Sequence, residues 1–143
     1  MNTKTVLTLA DAEFILDRAQ AEAEAHGWAV TIAVADDGGH LLALRRLDNA
    51  APFTTFVATE KARTAAIGGK PTSFFEDAIN NGRTAFLSAP MQGLLKGGVP
   101  VMIRGRVAGS VGVSGVAPDQ DVQVAESGIS ALSKNPAWRR SGK

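Results

Sequence analysis

Two stretches of β-forming residues, each doubling back at a short polar or glycine-containing turn, constrain this chain more than any other feature. The first runs over Ala29–Ala35, rich in Val30, Thr31, Ile32 and Val34. It meets the turn Asp36-Asp37-Gly38-Gly39 and returns over His40–Leu47. The second runs over Val99–Arg104, turns at Gly105-Arg106 and returns over Val107–Ser114. There Val107, Val111 and Val113 alternate with Ala108, Gly112 and Ser114. Pro100 within the third strand points to an edge or a strand start, because proline cannot donate to a ladder. Hairpins join antiparallel neighbours, whereas parallel strands need a long crossover between them.

Helical patterns surround the hairpins. Thr8 and Asp11 have the spacing of a capping box, and Leu9, Ala12, Ile15, Leu16, Ala19 and Ala23 follow on one face, up to a stop near Gly27. Pro52 suits a first helical turn, and Phe53–Ile67 carries a second helix that Gly68-Gly69 ends. Ser73 with Glu76 forms another capping-box pair, ahead of a short helix over Phe74–Asn80. Arg83–Gly98 has apolar residues without a period; it reads as a short strand or turn near Phe86 and then an irregular loop. Pro118 and Asp119 open a last helix with Val122, Ala125, Ile129 and Leu132 as its buried stripe. Helices interleaved with hairpins make an α/β chain of the α+β kind, an antiparallel sheet with helices packed on it. The 143 residues form one domain over residues 1–134, and 135–143 read as a frayed tail, with Trp138 free to dock on a neighbour.

Composition narrows the chemistry. The chain has no cysteine and no tyrosine, and its only histidines are His26 and His40. Disulfides, thiolate nucleophiles, iron–sulfur clusters and cysteine-ligated zinc are excluded, and no metal site is expected. Lys and Arg number 15 against 14 Asp and Glu, a net charge of +1, without the basic face that nucleic acids require. The first residues lack the charged-then-apolar pattern of a signal peptide, and no apolar run approaches a membrane span. No nucleic-acid or membrane partner is expected, and the expected location is cytoplasmic.

Three groups of residues are candidates for function. Asp36, Asp37 and His40 place two carboxylates beside an imidazole, either for proton transfer or only as hairpin-turn chemistry. Lys61 and Thr64 are three apart on the second helix, on the side of Phe53 and Val57, with Glu60 and Arg63 beside them. A lysine there either snorkels past apolar surface or lines a pocket and holds an anion. Gly97-Gly98, Gly109, Gly112 and Gly115 leave backbone bare, for a packed helix or for a ligand; their spacing is not that of a dinucleotide site. Gln120 and Asp121 read as helix-start residues favoured by the helix dipole.

These residues, in order, resemble one family. The run Gly27-Trp28, then Thr31 to Leu41, is similar to the signature of the GlcG/HbpS family, the haem-degrading domain also found at the C-terminus of PduO-type proteins. Arg45 with Asp48, Lys61 to Ala65, Pro71-Thr72, Gly97 to Pro100, Val107 to Gly115 and Gln120-Asp121 extend the resemblance from Leu7 to Leu132. It implies a profilin-like domain with an antiparallel sheet of about five strands flanked by helices. It also implies homo-oligomers (dimer, tetramer or octamer) and, in some members, haem as the bound cofactor.

Two functions follow as expectations. One is a small-ligand-binding protein of the GlcG/HbpS type, with haem or another planar or anionic ligand. His40 would anchor it, and Arg45, Lys61, Arg63 and Thr64 would bind its carboxylates. The alternative is a cofactor-independent enzyme (hydrolase, hydratase, dehalogenase or tautomerase) acting on a small carboxylate in catabolism. Its catalytic residues would be His40, Asp36 and Lys61.

Overall fold

The computed structural model describes residues 1–135, so the expected tail and Trp138 lie outside the described residues except for Asn135. Four helices and four strands follow in the order α1 (Leu9–Ala25), β1 (Thr31–Asp36), β2 (Leu41–Arg46), α2 (Thr54–Gly68), α3 (Thr72–Asn80), β3 (Gly98–Ile103), β4 (Arg106–Ser114) and α4 (Pro118–Ser133). All neighbouring strands are antiparallel, in the order β2-β1-β4-β3. The sheet therefore has four strands among the described residues, fewer than expected. Of the strand and the turn open near Phe86, the turn forms: Thr84–Ser88 is a 3-10 turn, and the chain then runs as a loop to β3, so no fifth strand arises there.

The α1 capping box forms. The Asp11 amide donates to Thr8 Oγ1 at 3.2 Å, and the Thr8 amide donates to Asp11 Oδ2 at 2.8 Å. The pair Ser73 and Glu76 does not cap α3. That helix begins one residue earlier, after Pro71, and Thr72 serves the loop: its hydroxyl donates to Leu95 O and accepts from the Gly98 amide at 2.8 Å.

The two faces of the sheet are built differently. On one face Val30, Ile32, Val34, Val111 and Val113 meet α1 and α4 in a thick aliphatic core. On the other, Thr31, Ala33 and Ala35 of β1 lie beside Ser114, Gly112 and Ser110 of β4, all small. There α2 comes down onto the sheet with Ala58 and Ala62. A Cβ on Gly112 would stand 2.1 Å from Ala58 O, and one on Gly98 would stand 2.4 Å from Lys61 O. At Gly112 and Gly98 the bare strand backbone thus serves a packed helix and leaves no room for a ligand.

The buried stripe of α4 is rotated from the expected one. Asp121, Val124, Ala125, Gly128 and Leu132 are buried, while Val122 is only half-buried. An aspartate and a glycine take the inward positions. Gly128 lets α1 approach so closely that a Cβ there would stand 2.9 Å from Ile15 O.

Candidate functional site

Lys61 lies on the sheet-facing side of α2, on the same turn as Ala58 and Ala62. Its stem passes Gly97, where a Cβ would stand 2.7 Å from Nζ. The ammonium donates to Val113 O at 2.9 Å and to Asp121 Oδ2 at 3.2 Å. The other oxygen of Asp121 accepts the Val116 amide at 3.2 Å. Both charges are withdrawn from water, with 5% and 4% of their side-chain surface exposed. Burial pushes the Asp121 carboxyl above its ordinary value, and Lys61 pulls against that.

A cavity of about 290 Å³ opens beside this pair, between α2, the end of β4 and the start of α4. Its inner wall is Lys61, Asp121, Thr54 and Ser114; Lys96, Glu76, Phe53 and Leu95 line its rim. The Thr54 hydroxyl is committed to Ala51 O and to Thr31 Oγ1. The Ser114 hydroxyl is not: the residue is 5% exposed, and its side chain makes no hydrogen bond among the described residues. Lys61 has three protons and two partners, so it too retains a donor. Lys96 pairs with Asp119, which raises its pKa.

The other residues nominated from sequence lie elsewhere. Asp36 Oδ1 accepts the amides of Gly38 and His40 at 2.9 Å each, which closes the hairpin turn. His40 is exposed there, and its imidazole makes no hydrogen bond among the described residues. Thr31 is paired with Ser114 and Asp36 with Gly109, so the turn and the cavity lie at opposite ends of β1. Five steps of about 3.3 Å separate those ends by roughly 16 Å. His40 and Asp36 are therefore not brought to Lys61.

Arg45 is in register with Ile32 and lies on the α1 face, where it pairs with Asp17 at 2.7 Å and Glu13 at 3.0 Å. A cleft of about 510 Å³ there, walled by Trp28, Arg45, Arg46 and Asp48, carries no buried charge pair and no histidine. Arg63 is half-exposed, 3.7 Å from Glu60, with its stem close to Gly39 of the turn. The Thr64 hydroxyl accepts the Gly93 amide at 3.2 Å and so holds the loop on α2. Asp121, Ser114 and Lys96 are not among the site residues that the sequence points to. The one available signal was Lys61 itself, a lysine among inward-facing alanines, which requires a buried counter-charge; nothing in the sequence said which carboxylate supplies it.

The family model described as haem degrading protein HbpS-like matches residues 7–130. The chain belongs to the HbpS-like family. It is 52% identical over 114 residues to Protein GlcG of Escherichia coli strain K12, covering 80% of this chain and 85% of that one. The fold agrees with HbpS of Streptomyces reticuli, solved as a double mutant, at a TM-score of 0.83 and 32% identity, over 92% of this chain and 90% of that one. It also agrees with the Klebsiella pneumoniae protein ORFY at a TM-score of 0.88 and 27% identity, over 94% and 96%.

The family description implies haem, and the residues of this HbpS-like chain do not enclose one. A haem site needs an axial donor at the edge of a slot. Neither histidine lines the cavity or the Trp28 cleft. His26 is stacked on Trp28 at 4.3 Å between ring centroids. No helix among the described residues is long and apolar enough to cross a membrane.

Proposed function

We propose that this HbpS-like protein binds a small carboxylate at the Lys61–Asp121 cavity. The observation that carries this reading is the Ser114 hydroxyl, on a residue only 5% exposed yet without a hydrogen-bond partner among the described residues, which lines the cavity together with an ammonium that has a proton to spare. A buried charge pair adds little to stability over an apolar pair of similar size, so its presence fits a binding role better than a structural one. A carboxylate would take both donors, and Lys96 at the rim would add attraction.

Acetate titrated into the full chain and followed by amide NMR tests this. Shifts centred on Ser114, Lys96 and Gly115 are expected, and Ser114→Ala is expected to weaken binding by about tenfold to a hundredfold, the range of one hydrogen bond to a charged group. Shifts spread evenly over surface lysines, unchanged in Ser114→Ala, overturn the reading. The same cavity serves the enzymatic alternative, with Asp121 as the group that would move a proton; Asp36 and His40 stand at the other end of β1.

Haem is a second reading, favoured by the exposed and unpartnered imidazole of His40. The site would then lie on the surface and need a second copy to complete it. A Soret band on haem titration that His40→Ala abolishes supports it, and an unchanged band in that variant removes it. Homo-oligomers are part of the same proposal. The outer face of α2 leaves Phe53, Phe56 and Ile67 exposed, where a second copy would pack. Light scattering that returns a monomer at micromolar concentration removes that part.

A further inference from the structure

Next to the Lys61 cavity lies a second hollow, of about 430 Å³, between α3 and the loop that leads to β3. Its walls are mainly apolar: Ile79 from α3, Leu87 from the 3-10 turn, and Met91, Leu94 and Leu95 from the loop, with Asn80 and Gln92 as polar lining residues. The two hollows share two residues, Glu76 and Leu95. One is charged and hydroxyl-lined, the other mainly apolar, and they meet at a common wall. Leu87 is 66% exposed and Leu95 46%, so the second hollow holds apolar side chains open to solvent instead of closing over them.

We infer that the ligand is a monocarboxylate with an apolar tail, its head at Lys61 and Ser114 and its tail in the hollow beside Met91. This inference rests on the carboxylate reading above and names the class of ligand. Continuity with the head site is what selects this occupant, because the one polar group at the junction is Glu76. A second carboxylate on the tail would have to pass or approach the Glu76 carboxylate in a partly desolvated place, where like charges repel strongly. The site therefore favours monocarboxylates and rejects dicarboxylates of the same length.

Calorimetric titration of the full chain with acetate, butanoate, hexanoate, octanoate and the dicarboxylate suberate tests this. Each methylene that enters the hollow is expected to tighten Kd by up to about fourfold, the effect of one buried CH2. The gain should level off once the hollow is filled. Suberate is expected to bind at least tenfold more weakly than octanoate, and Glu76→Gln should narrow that gap. Met91→Ser and Ile79→Ser, each checked for an unchanged circular dichroism spectrum, should lower the ratio of octanoate to acetate affinity. A Kd independent of chain length, with acetate still shifting Ser114, overturns the tail and leaves the head site standing. Failure of every carboxylate to bind overturns both. A chain-length dependence that Met91→Ser and Ile79→Ser both leave intact shows adsorption elsewhere and overturns the tail.

Discussion

Lys61 and Asp121 hold opposite charges that are nearly withdrawn from water, and each is costly without the other. Replacing Lys61 by Met leaves a buried carboxylate without its counter-ion, an expected loss of about 3–5 kcal/mol at neutral pH. Urea unfolding measures it, and the loss should shrink near pH 4, where Asp121 can take up a proton. Asp121 has its own pH signature. Its folded pKa is raised above the ordinary 3.8, with burial the first cause. A carboxyl so shifted binds its proton more tightly when folded. Its contribution to stability is full below the ordinary value and is lost as pH rises through the folded one. The stability of Asp121→Asn relative to wild type is therefore expected to rise with pH across that window. A difference that falls instead would show that Lys61 outweighs burial. Asp37 behaves in the opposite sense: the hydrogen bond from Lys4 lowers its pKa, so Lys4→Ala should move its NMR titration midpoint upward.

At the scale of elements, α2 and the sheet below it depend on the absence of side chains. Gly112→Ala would drive a methyl to within 2.1 Å of Ala58 O and 2.5 Å of Ala62 N, so α2 must lift. The expected cost is more than about 3 kcal/mol, because backbone on both sides cannot yield as a side chain can. Gly82 gives the contrast. Its φ is +104° but nothing lies within 4 Å, so Gly82→Ala meets only backbone strain, about 1–2 kcal/mol. Thermal or urea melts of the two variants compare them directly, and equal losses would refute the close-packed account of α2. The capped start of α1 was readable because Thr8 and Asp11 are three apart in sequence. The start of α3 was not, because Thr72 takes its partners from Leu95 and Gly98, more than twenty positions away.

At the scale of the molecule, the sheet separates two polar regions that the sequence placed together. Arg45 faces α1, while Lys61 lies under α2 on the other face. Arg45→Ala is expected to cost at most about 1 kcal/mol, since its partners Asp17 and Glu13 are largely exposed, and to leave acetate binding unchanged. Calorimetry on that variant checks both statements; a weakened acetate Kd would mean that the two faces communicate.

The antiparallel hairpins, the four helices to within a few residues of their ends, and the family are legible in the order of the residues alone. Those depend on periodicity, turn chemistry and motifs that are local along the chain. The same order also marks Lys61 as unusual, through its place among alanines. It takes the folded chain to show that Lys61 pairs with Asp121, that Ser114 faces a cavity without a hydrogen-bond partner among the described residues, and that His40 and Asp36 stand at the far end of β1. The reason is register. Whether residues sixty positions apart meet depends on how β1 pairs with β4 and how deeply α2 settles on their glycines, and neither leaves a local trace in the order of the residues.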